Sequence, residues 1–456
     1  MMLLDSSISE IAAKYRSGEI SPVDVINECF KNIEKHNSTL NAFITICDKQ
    51  KVLDQAKLIK FVTPLSGIPY VLKDAYVTQG LRTTAASKIL ENYVPDYNAT
   101  VVEKLTQAGA ILIGKTNMDV WGHGASSENT DFGPVKNPWD QSRVAGGSSG
   151  GAAVAVSVRM AMFAIGEDTG GSIRNPAGWC GISGLKVTYG RVSRYGAIAY
   201  ASSLDTVGPM AKSSRDLAII LEQIAGIDPY DATSSPVEVP KYSEDLNTDL
   251  KKIKIGIPLE LNSQIKEAVI KLKELGAEVV DISLPMLKYA VSVYYLIAPS
   301  ETSSNLARYD GIRYGTGREN FTQESMRRII IGTYALSAGY YDAYYKKAQA
   351  ARTKIIGDYK KAFTKCDVII MPISPSMAPK LGELISDPVK NMLTDMYAVT
   401  ANISGIPSLA VPCGFDEGMP VGFQIQGPMF SEELLLRLGH SYQQATDWHV
   451  RKPQLS

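Results

Sequence analysis

The sequence predicts an α/β protein: a single large domain in which a mixed, mostly parallel central sheet is covered by helices on both faces. Segments with helical periodicity alternate with short apolar segments typical of buried strands. No Pro/Ser-rich linker, charge block or clear internal repeat divides the 456 residues. Because 45% of the residues are apolar, the chain is able to bury one large core. We therefore treat residues 1–456 as one domain.

Two helices are expected at the start of the chain. Ser7 and Glu10 have the spacing of a capping box, in which each residue satisfies a free N–H group of the first helical turn. Ser21 is a favoured N-cap residue, and Pro22 follows it at the first helical position, where proline is tolerated.

Helices and strands alternate further along the chain. Residues 99–108 have helical character, Gly109 is a plausible stop, and residues 110–114 look like a buried strand. Residues 253–257, 264–276 and 277–282 form a strand, helix, strand pattern of the kind that builds a parallel sheet. Later strands are expected at 367–372, 408–413 and 422–427, before a closing helix from Ser431 to about Thr446.

Composition excludes several classes of protein. Lys plus Arg equals Asp plus Glu at 47 each, which argues against a broad nucleic-acid or anionic-membrane surface. The opening MMLLDSSISE lacks the basic and apolar segments of a signal peptide, and no apolar stretch is long enough to span a bilayer. The five cysteines are odd in number and lack CxxC spacing, so we expect a cytoplasmic protein with reduced, mostly buried thiols. The four histidines lack metal-ligand spacing, and no metal site is expected.

The segment from Val144 to Arg174 suggests chemistry, because it holds two glycine-flanked serines, Ser148 and Ser172, and no histidine. A serine hydroxyl is a poor nucleophile at neutral pH and needs a base within hydrogen-bond reach. Lys73, in the otherwise uncharged GIPYVLKD, is a candidate, since a desolvated lysine loses its proton and becomes basic.

Two other patterns compete with this interpretation. GAILIGKT, ending at Lys115-Thr116, fits the P-loop pattern, but its four middle residues resemble a strand, not a phosphate-binding turn. A nucleotide-binding protein that uses Lys115 is therefore a weaker hypothesis. GGSSG fits a nucleophile elbow centred on Ser148, with His440 and His449 downstream, but the preceding NPWDQSRVA is a poor strand.

Lys73 in GIPYVLKD, Ser148 in GGSSGG and Ser172 in DTGGSIR together resemble the amidase signature family. The resemblance runs essentially end to end, through GKTNMD, FGPVKNPWD, GLKVTYGRVSRYG, ASSLDTVGPM and GIPSLAVPCG. It implies the amidase signature fold, with the N-terminal helices of about residues 6–37 packing outside the catalytic core.

The resemblance also implies a mechanism. Ser172 would attack a carboxamide carbon, and Ser148, held by a cis peptide bond, would relay protons between Ser172 and a neutral Lys73. The N–H groups of Thr169, Gly170 and Gly171 would converge on the developing oxyanion. An acyl-enzyme would release ammonia first and then be hydrolysed, and no metal or organic cofactor is needed in this chain.

SETSSNLARYDGIRYG and YALSAGYYDAYYKKAQAARTKI resemble the glutamine-hydrolysing subunits of tRNA-dependent amidotransferases within the family. That likeness implies glutamine as substrate, with Arg328 on its carboxylate, Asp395 on its amino group and Tyr294 as a pocket wall. It also implies partner subunits B and C, with ATP and Mg²⁺ on the partner and tRNA contacted mainly through it. A stand-alone amidase for small aliphatic or aryl amides is the alternative.

Two dipeptides depart from the pattern usual in these subunits. They are Val120-Trp121, where an acidic residue and phenylalanine are common, and Asn391-Met392, where Met-Tyr is usual. These changes bear on the lining of the pocket and on the surface for the partner, and not on the lysine and the two serines.

Overall fold

The structure is a computed structural model that describes residues 3–247, 249–259 and 265–455. Within these ranges, eleven strands form one sheet in the order β1-β3-β2-β4-β6-β5-β10-β11-β9-β7-β8. The strands are β1 (Phe43–Ile46), β2 (Pro69–Lys73), β3 (Ile111–Thr116), β4 (Phe163–Asp168), β5 (Ser183–Lys186), β6 (Thr206–Ala211), β7 (Lys254–Pro258), β8 (Glu278–Ile282), β9 (Val368–Pro372), β10 (Ser408–Asp416) and β11 (Met419–Gln426).

Helices flank this sheet, which confirms the predicted class. The α-helices of the described ranges are α1 (Ile8–Ser17), α2 (Pro22–Leu40), α3 (Lys49–Lys57), α4 (Thr100–Gln107), α5 (Gly150–Ser157), α6 (Arg174–Cys180), α7 (Ser214–Ile224), α8 (Lys266–Glu274), α9 (Ala290–Asn305), α10 (Gln323–Leu336), α11 (Lys347–Ala362), α12 (Glu383–Ser386), α13 (Pro388–Thr394), α14 (Val399–Ser404) and α15 (Glu432–Gln444).

The sheet is mixed, as predicted, but the expectation that it is mostly parallel is wrong. Only the pairs β3/β2, β2/β4, β9/β7 and β7/β8 are parallel among the described strands, and the other six pairs are antiparallel. Strands joined through a helix pair in parallel near the two ends of the sheet, as in β2-α4-β3 and β7-α8-β8. Strands β10 and β11 are instead joined by a hairpin at Glu417-Gly418, where both residues have positive φ. This connection makes the two strands antiparallel in the middle of the sheet.

The predicted helix starts at the beginning of the chain are confirmed. Ser7 and Ser21 cap α1 and α2, and each closes a capping box with the residue three positions later. The Ile8 N–H donates to the Asp216 carboxylate in α7 (2.9 Å), and Tyr15 Oη donates to the Gly67 carbonyl (3.2 Å). These bonds attach α1 to two separate parts of the fold.

The predicted helix and strand pairs downstream are confirmed as well. Helix α4 and strand β3 follow one another across Gly109, and β7, α8 and β8 form a parallel unit. Gln264, at the start of the predicted segment 264–276, lies outside the described residues. The closing helix is α15.

The five cysteines are all free, and four of them are buried. In the described part of the chain, no group of His, Cys, Asp or Glu is arranged to hold a metal ion. Within the same part, none of the helices combines the length and apolar character that a membrane span requires.

Strands β2 and β4 position the candidate site, because they are parallel neighbours near one side of the sheet. Lys73 is the last residue of β2, and Asp168 ends β4 four residues before Ser172. Since the carboxyl ends of neighbouring parallel strands lie at the same edge of a sheet, Lys73 and the Ser172 loop reach the same place.

Candidate active site

The buried amine of Lys73 lies against a serine hydroxyl. Lys73 Nζ is 2.7 Å from Ser148 Oγ, and both side chains are buried. Nζ also lies 3.4 Å from the carboxylate and 3.4 Å from the backbone carbonyl of Glu167. Burial lowers the pKa of Lys73, while the charge of Glu167 opposes the shift. The pKa of Lys73 is thus shifted in the direction that the neutral lysine of the sequence analysis requires.

Ser148 is in a tightly packed turn. The Gly147–Ser148 peptide bond is cis, as the family resemblance implies. A Cβ at Gly147 would fall 2.0 Å from Asp119 Oδ2, so this close approach admits only glycine. The Asp119 N–H in turn donates to the Ser148 carbonyl (3.2 Å). Helix α5 begins directly after this turn, at Gly150.

Ser172 lies in the loop between β4 and α6. Its carbonyl accepts a hydrogen bond from the Ser149 N–H (3.1 Å), which ties the loop to the Ser148 turn. Ser172 is 7% exposed, against 1% for Ser148 and 0% for Lys73, so it is the member of the trio nearest to incoming substrate. No hydrogen bond of the Ser172 hydroxyl is present among the described residues.

A buried ion pair anchors the Ser172 loop. Arg174 contacts both carboxylate oxygens of Asp168 (3.0 and 3.1 Å) and also donates to Asn402 and Gln424 (2.7 Å each). Burial by itself would raise the pKa of Asp168, but the Arg174 guanidinium outweighs it and holds the pKa well below its usual range. The loop is thus fixed at both ends before substrate arrives.

The candidate oxyanion donors precede the nucleophile in this loop. The Gly171 N–H already donates to Asp168 Oδ1 (2.9 Å), so an incoming oxyanion would compete with that carboxylate. The Thr169 hydroxyl donates to Asp205 (2.7 Å). The assignment of the Thr169 and Gly170 N–H groups stays a prediction.

Arg328, from α10, is a buried cation beside the trio. Its Nε contacts Glu324 (2.8 Å) and its Nη1 donates to the Tyr200 hydroxyl (2.6 Å). Within the described chain, Nη2 makes no hydrogen bond. Gly122 lies between Tyr200 and Ser148, since a methyl group on it would be 3.4 Å from the Tyr200 ring and 3.7 Å from Ser148 Oγ.

Asp395 follows α13 and is a buried anion near Arg328. It accepts a hydrogen bond from Tyr295 (2.9 Å), whose ring also lies under the Arg328 guanidinium at 5.3 Å. Burial raises the pKa of Asp395 to about 7. Tyr295 therefore contacts both groups, and among the described residues Arg328 and Asp395 form no direct ion pair.

These charged groups border the nucleophile loop. A methyl group on Gly170 would fall 2.6 Å from the Tyr294 hydroxyl, and one on Gly171 would be 3.9 Å from Asp395 Oδ1. Tyr294 is also 3.5 Å from the Tyr200 hydroxyl. Arg328, Asp395 and Tyr294 thus lie near the Ser172 loop, where Tyr200 and Tyr295 link them, and their role in binding a substrate stays a prediction.

The competing patterns have structural explanations. Lys115 is a buried residue of strand β3 and donates to the Tyr76 carbonyl and Thr83 (2.8 Å each) and to Asp74 (3.1 Å). Its ammonium is thus used inside the core and not in a phosphate-binding turn. The backbone before Ser148 is irregular from residue 145, so the elbow lacks its strand.

Sequence reasoning missed the residues that link the charged groups. Tyr200 and Tyr295 hold Arg328 from two sides, and Glu167 contacts Lys73. Glu167 directly precedes the DTGGSIR motif, and this position was the sequence signal that could have identified it. Nothing in the sequence singles out Tyr200, because its role depends on α10, which is more than a hundred residues away.

The two dipeptides that depart from the usual pattern, Val120-Trp121 and Asn391-Met392, lie in different parts of the structure. Trp121 is buried with φ +56° and packs on Tyr309 and Phe321, with ring centroids 4.7 and 5.8 Å apart. Asn391 lines a cavity of about 270 Å³ together with Glu324, the ion-pair partner of Arg328. Trp121 is therefore a core residue, whereas Asn391 lines a cavity that also borders the ion-pair partner of Arg328.

The chain is similar to known proteins along most of its length. A family model described as Amidase matches residues 24–436. The A subunit of glutamyl-tRNA(Gln) amidotransferase from Desulfatibacillum aliphaticivorans is 48% identical, and that from Geobacillus kaustophilus (strain HTA426) is 46% identical. Both alignments cover 100% of this chain and 100% of the relative.

Solved structures give the same result. The crystal structure of the A subunit of glutamyl-tRNA(Gln) amidotransferase from Thermotoga maritima matches with a TM-score of 0.85 and 38% identity, over 99% of this chain and 97% of that one. The structure of 6-aminohexanoate cyclic dimer hydrolase matches with a TM-score of 0.89 and 26% identity, over 99% of both chains.

Proposed function

Because the chain belongs to the amidase family, we propose that Lys73, Ser148 and Ser172 hydrolyse the carboxamide of glutamine and supply ammonia to a tRNA-dependent amidotransferase. The observation that carries the proposal is the pair of opposite buried charges, Arg328 and Asp395, next to the nucleophile loop. Free glutamine carries one charge of each sign, and a simple amide carries neither.

The trio performs nucleophilic catalysis. Ser172 attacks the carboxamide carbon while its proton moves through Ser148 to the neutral amine of Lys73. The Lys73 ammonium then returns a proton, again through Ser148, to the leaving nitrogen, and ammonia departs from the acyl-enzyme. Water, activated by the same two groups, releases glutamate. All these steps use side chains of this chain.

Arg328 and Asp395 select glutamine. The free Nη2 of Arg328 binds the α-carboxylate, and Asp395 binds the α-ammonium through a charge-assisted hydrogen bond. Both groups are buried, so a substrate that lacks either charge leaves its partner unsatisfied, which is a strong basis for discrimination. Tyr294 closes the side of the pocket next to Gly170.

The relatives' names support a role as the A subunit of a glutamyl-tRNA(Gln) amidotransferase. The B subunit would bind ATP and Mg²⁺ and contact Glu-tRNA(Gln), or Asp-tRNA(Asn), and the small C subunit would hold the two together in the cytoplasm. The equal numbers of acidic and basic residues in this chain fit a subunit that leaves RNA binding to its partner.

The direct test is ammonia release from glutamine by the full chain, purified from its native extract with any subunits that accompany it. We expect turnover by the wild type, none by Ser172→Ala, and a loss of several orders of magnitude in Lys73→Ala. Co-purification of the B and C subunits is expected, and transfer of ammonia to mischarged tRNA should require them.

Two results would count against the proposal. Activity retained in Ser172→Ala and lost only in Ser148→Ala would make Ser148 the nucleophile. Rapid hydrolysis of small neutral amides, with no turnover of glutamine, would favour the stand-alone amidase.

A further inference from the structure

Glu167 is a buried acid that the catalytic steps above leave unused. Its side chain is 2% exposed, and its Oε2 is 3.4 Å from Lys73 Nζ. Its other oxygen, Oε1, is buried without a hydrogen-bond partner among the described residues. A buried carboxyl at this distance from an amine is expensive to maintain unless the two groups interact, so its position calls for a physical explanation.

Neighbouring parallel strands bring Glu167 close to Lys73. Glu167 is in β4, next to β2, and Lys73 ends β2. The Lys73 amine therefore contacts both Ser148 Oγ (2.7 Å) and Glu167 Oε2 (3.4 Å). In a catalytic triad the base contacts the hydroxyl that it deprotonates and a third residue that orients the base. Lys73 has contacts of the same two kinds.

Glu167 also lines a cavity of about 160 Å³. Asp205, Arg194 and Asp231 also line it, and it is large enough for several water molecules. Arg194 is 3.6 Å from Asp231, and its positive charge favours the ionised form of Glu167. The Arg194 charge thus partly offsets the effect of burial on Glu167.

Resting on the proposed function, in which Lys73 is the base, we propose that Glu167 is its positioning residue: the carboxylate orients the amine toward Ser148 and stabilises the ammonium formed during acylation. When Lys73 accepts the proton from Ser148, a new N–H bond forms and a positive charge appears 3.4 Å from Glu167. Glu167 keeps its own bonds unchanged and contributes charge only.

The electrostatic balance around Lys73 agrees with this role. Burial lowers the pKa of Lys73, and among the opposing influences the charge of Glu167 is the largest, followed by its hydrogen bond. Burial raises the pKa of Glu167, and the charge and hydrogen bond of Lys73 only partly oppose this rise. The titratable and charged groups that face this pair are Asp119, Asp205, Asp168, Arg194 and Tyr76.

Glu167→Gln tests the proposal, because glutamine has nearly the same shape but no charge. With a neutral amide as substrate, which avoids any contribution of Asp395, we expect kcat to fall about tenfold or more while KM is unchanged. The acid limb of the pH profile should move to lower pH, because Lys73 loses the charge that keeps its pKa up. Glu167→Asp, which retains the charge, should restore part of both effects.

The matched control is Glu432→Gln. Glu432 is also fully buried and accepts a hydrogen bond from the Thr188 N–H (2.7 Å), but it does not contact Lys73. The same chemical change there should leave the acid limb in place. The proposal is overturned if Glu167→Gln changes neither kcat nor the acid limb of the pH profile. It is also overturned if Glu432→Gln moves the acid limb by the same amount.

A second measurement separates this proposal from the proposed function. The pKa of Lys73 can be followed by NMR in the full chain with ¹³C-labelled lysine, assigned with Lys73→Arg. A lower pKa in Glu167→Gln supports the pairing even if the chain proves to hydrolyse no amide, in which case only the proposed function fails. An unchanged pKa in an active enzyme refutes the Glu167 role alone.

Discussion

Replacing Arg328 by alanine tests substrate selection most directly. The side chain is 2% exposed and is held by Glu324 (2.8 Å) and Tyr200 (2.6 Å). Removing it leaves the substrate α-carboxylate buried without a partner, which costs about 3–5 kcal/mol. At 1.36 kcal/mol per factor of ten, kcat/KM for glutamine should fall about 200- to 5,000-fold.

A neutral amide should lose much less in the same variant. Glu324 keeps its second ion-pair partner, Arg327, and Tyr200 loses a single hydrogen bond, which is about 1 kcal/mol. We therefore expect kcat/KM for a small aliphatic amide to fall less than about tenfold. The role of the Arg328 charge is measured by the ratio of kcat/KM for glutamine to kcat/KM for the amide, and not by either value alone.

The assay is steady-state release of ammonia from glutamine and from the aliphatic amide by the same preparations. Arg327→Ala is the matched control, because it removes the same charge from the neighbouring position, where the side chain is 37% exposed. It should change neither substrate by more than a few-fold. Equal losses on both substrates in Arg328→Ala would refute the assignment of Arg328 to the glutamine carboxylate.

Three further predictions concern the pocket and the core. Asp395 binds the substrate ammonium as a carboxylate, so kcat/KM for glutamine should decline as pH falls through about 7, and Asp395→Asn should abolish that limb in a pH profile. Gly170→Ala should reduce glutamine turnover about tenfold or more in a steady-state assay, because its Cβ would fall 2.6 Å from the phenol of Tyr294; normal activity would contradict the packing. Lys115→Met should destabilise the chain by about 3–5 kcal/mol in urea unfolding, since it leaves Asp74 buried and unpaired, and ATP should not shift the melting temperature of either protein.

Local features of the fold were predictable from the sequence because their causes are local. The capping boxes at Ser7 and Ser21 depend on residues three positions apart, and the structure has both. The strand at β3 and the parallel unit of β7 and β8 were recognisable from short apolar segments on either side of a helix. Each of these signals lies within about 30 residues of sequence.

The direction of strand pairing in the middle of the sheet was not predictable in this way. The alternation of helices and strands favours parallel pairing, and that inference holds only where a helix joins neighbours in the sheet. Strand β5 pairs with β10, more than two hundred residues later, and both neighbours of β10 are antiparallel to it. Order in the sheet depends on contacts between distant segments, which periodicity does not report.

The sequence by itself indicated the chemistry proposed for this protein, because a lysine and two glycine-flanked serines occur without a histidine in motifs that resemble the amidase signature family. It also indicated the cation and anion that suit glutamine. Only the tertiary structure decided how these groups are held: Tyr200 and Tyr295 fix Arg328, Arg174 anchors the Ser172 loop, and Glu167 meets Lys73. The physical reason is burial, since the pKa of a lysine and the binding strength of a charge depend on neighbours that the fold brings together from distant parts of the chain.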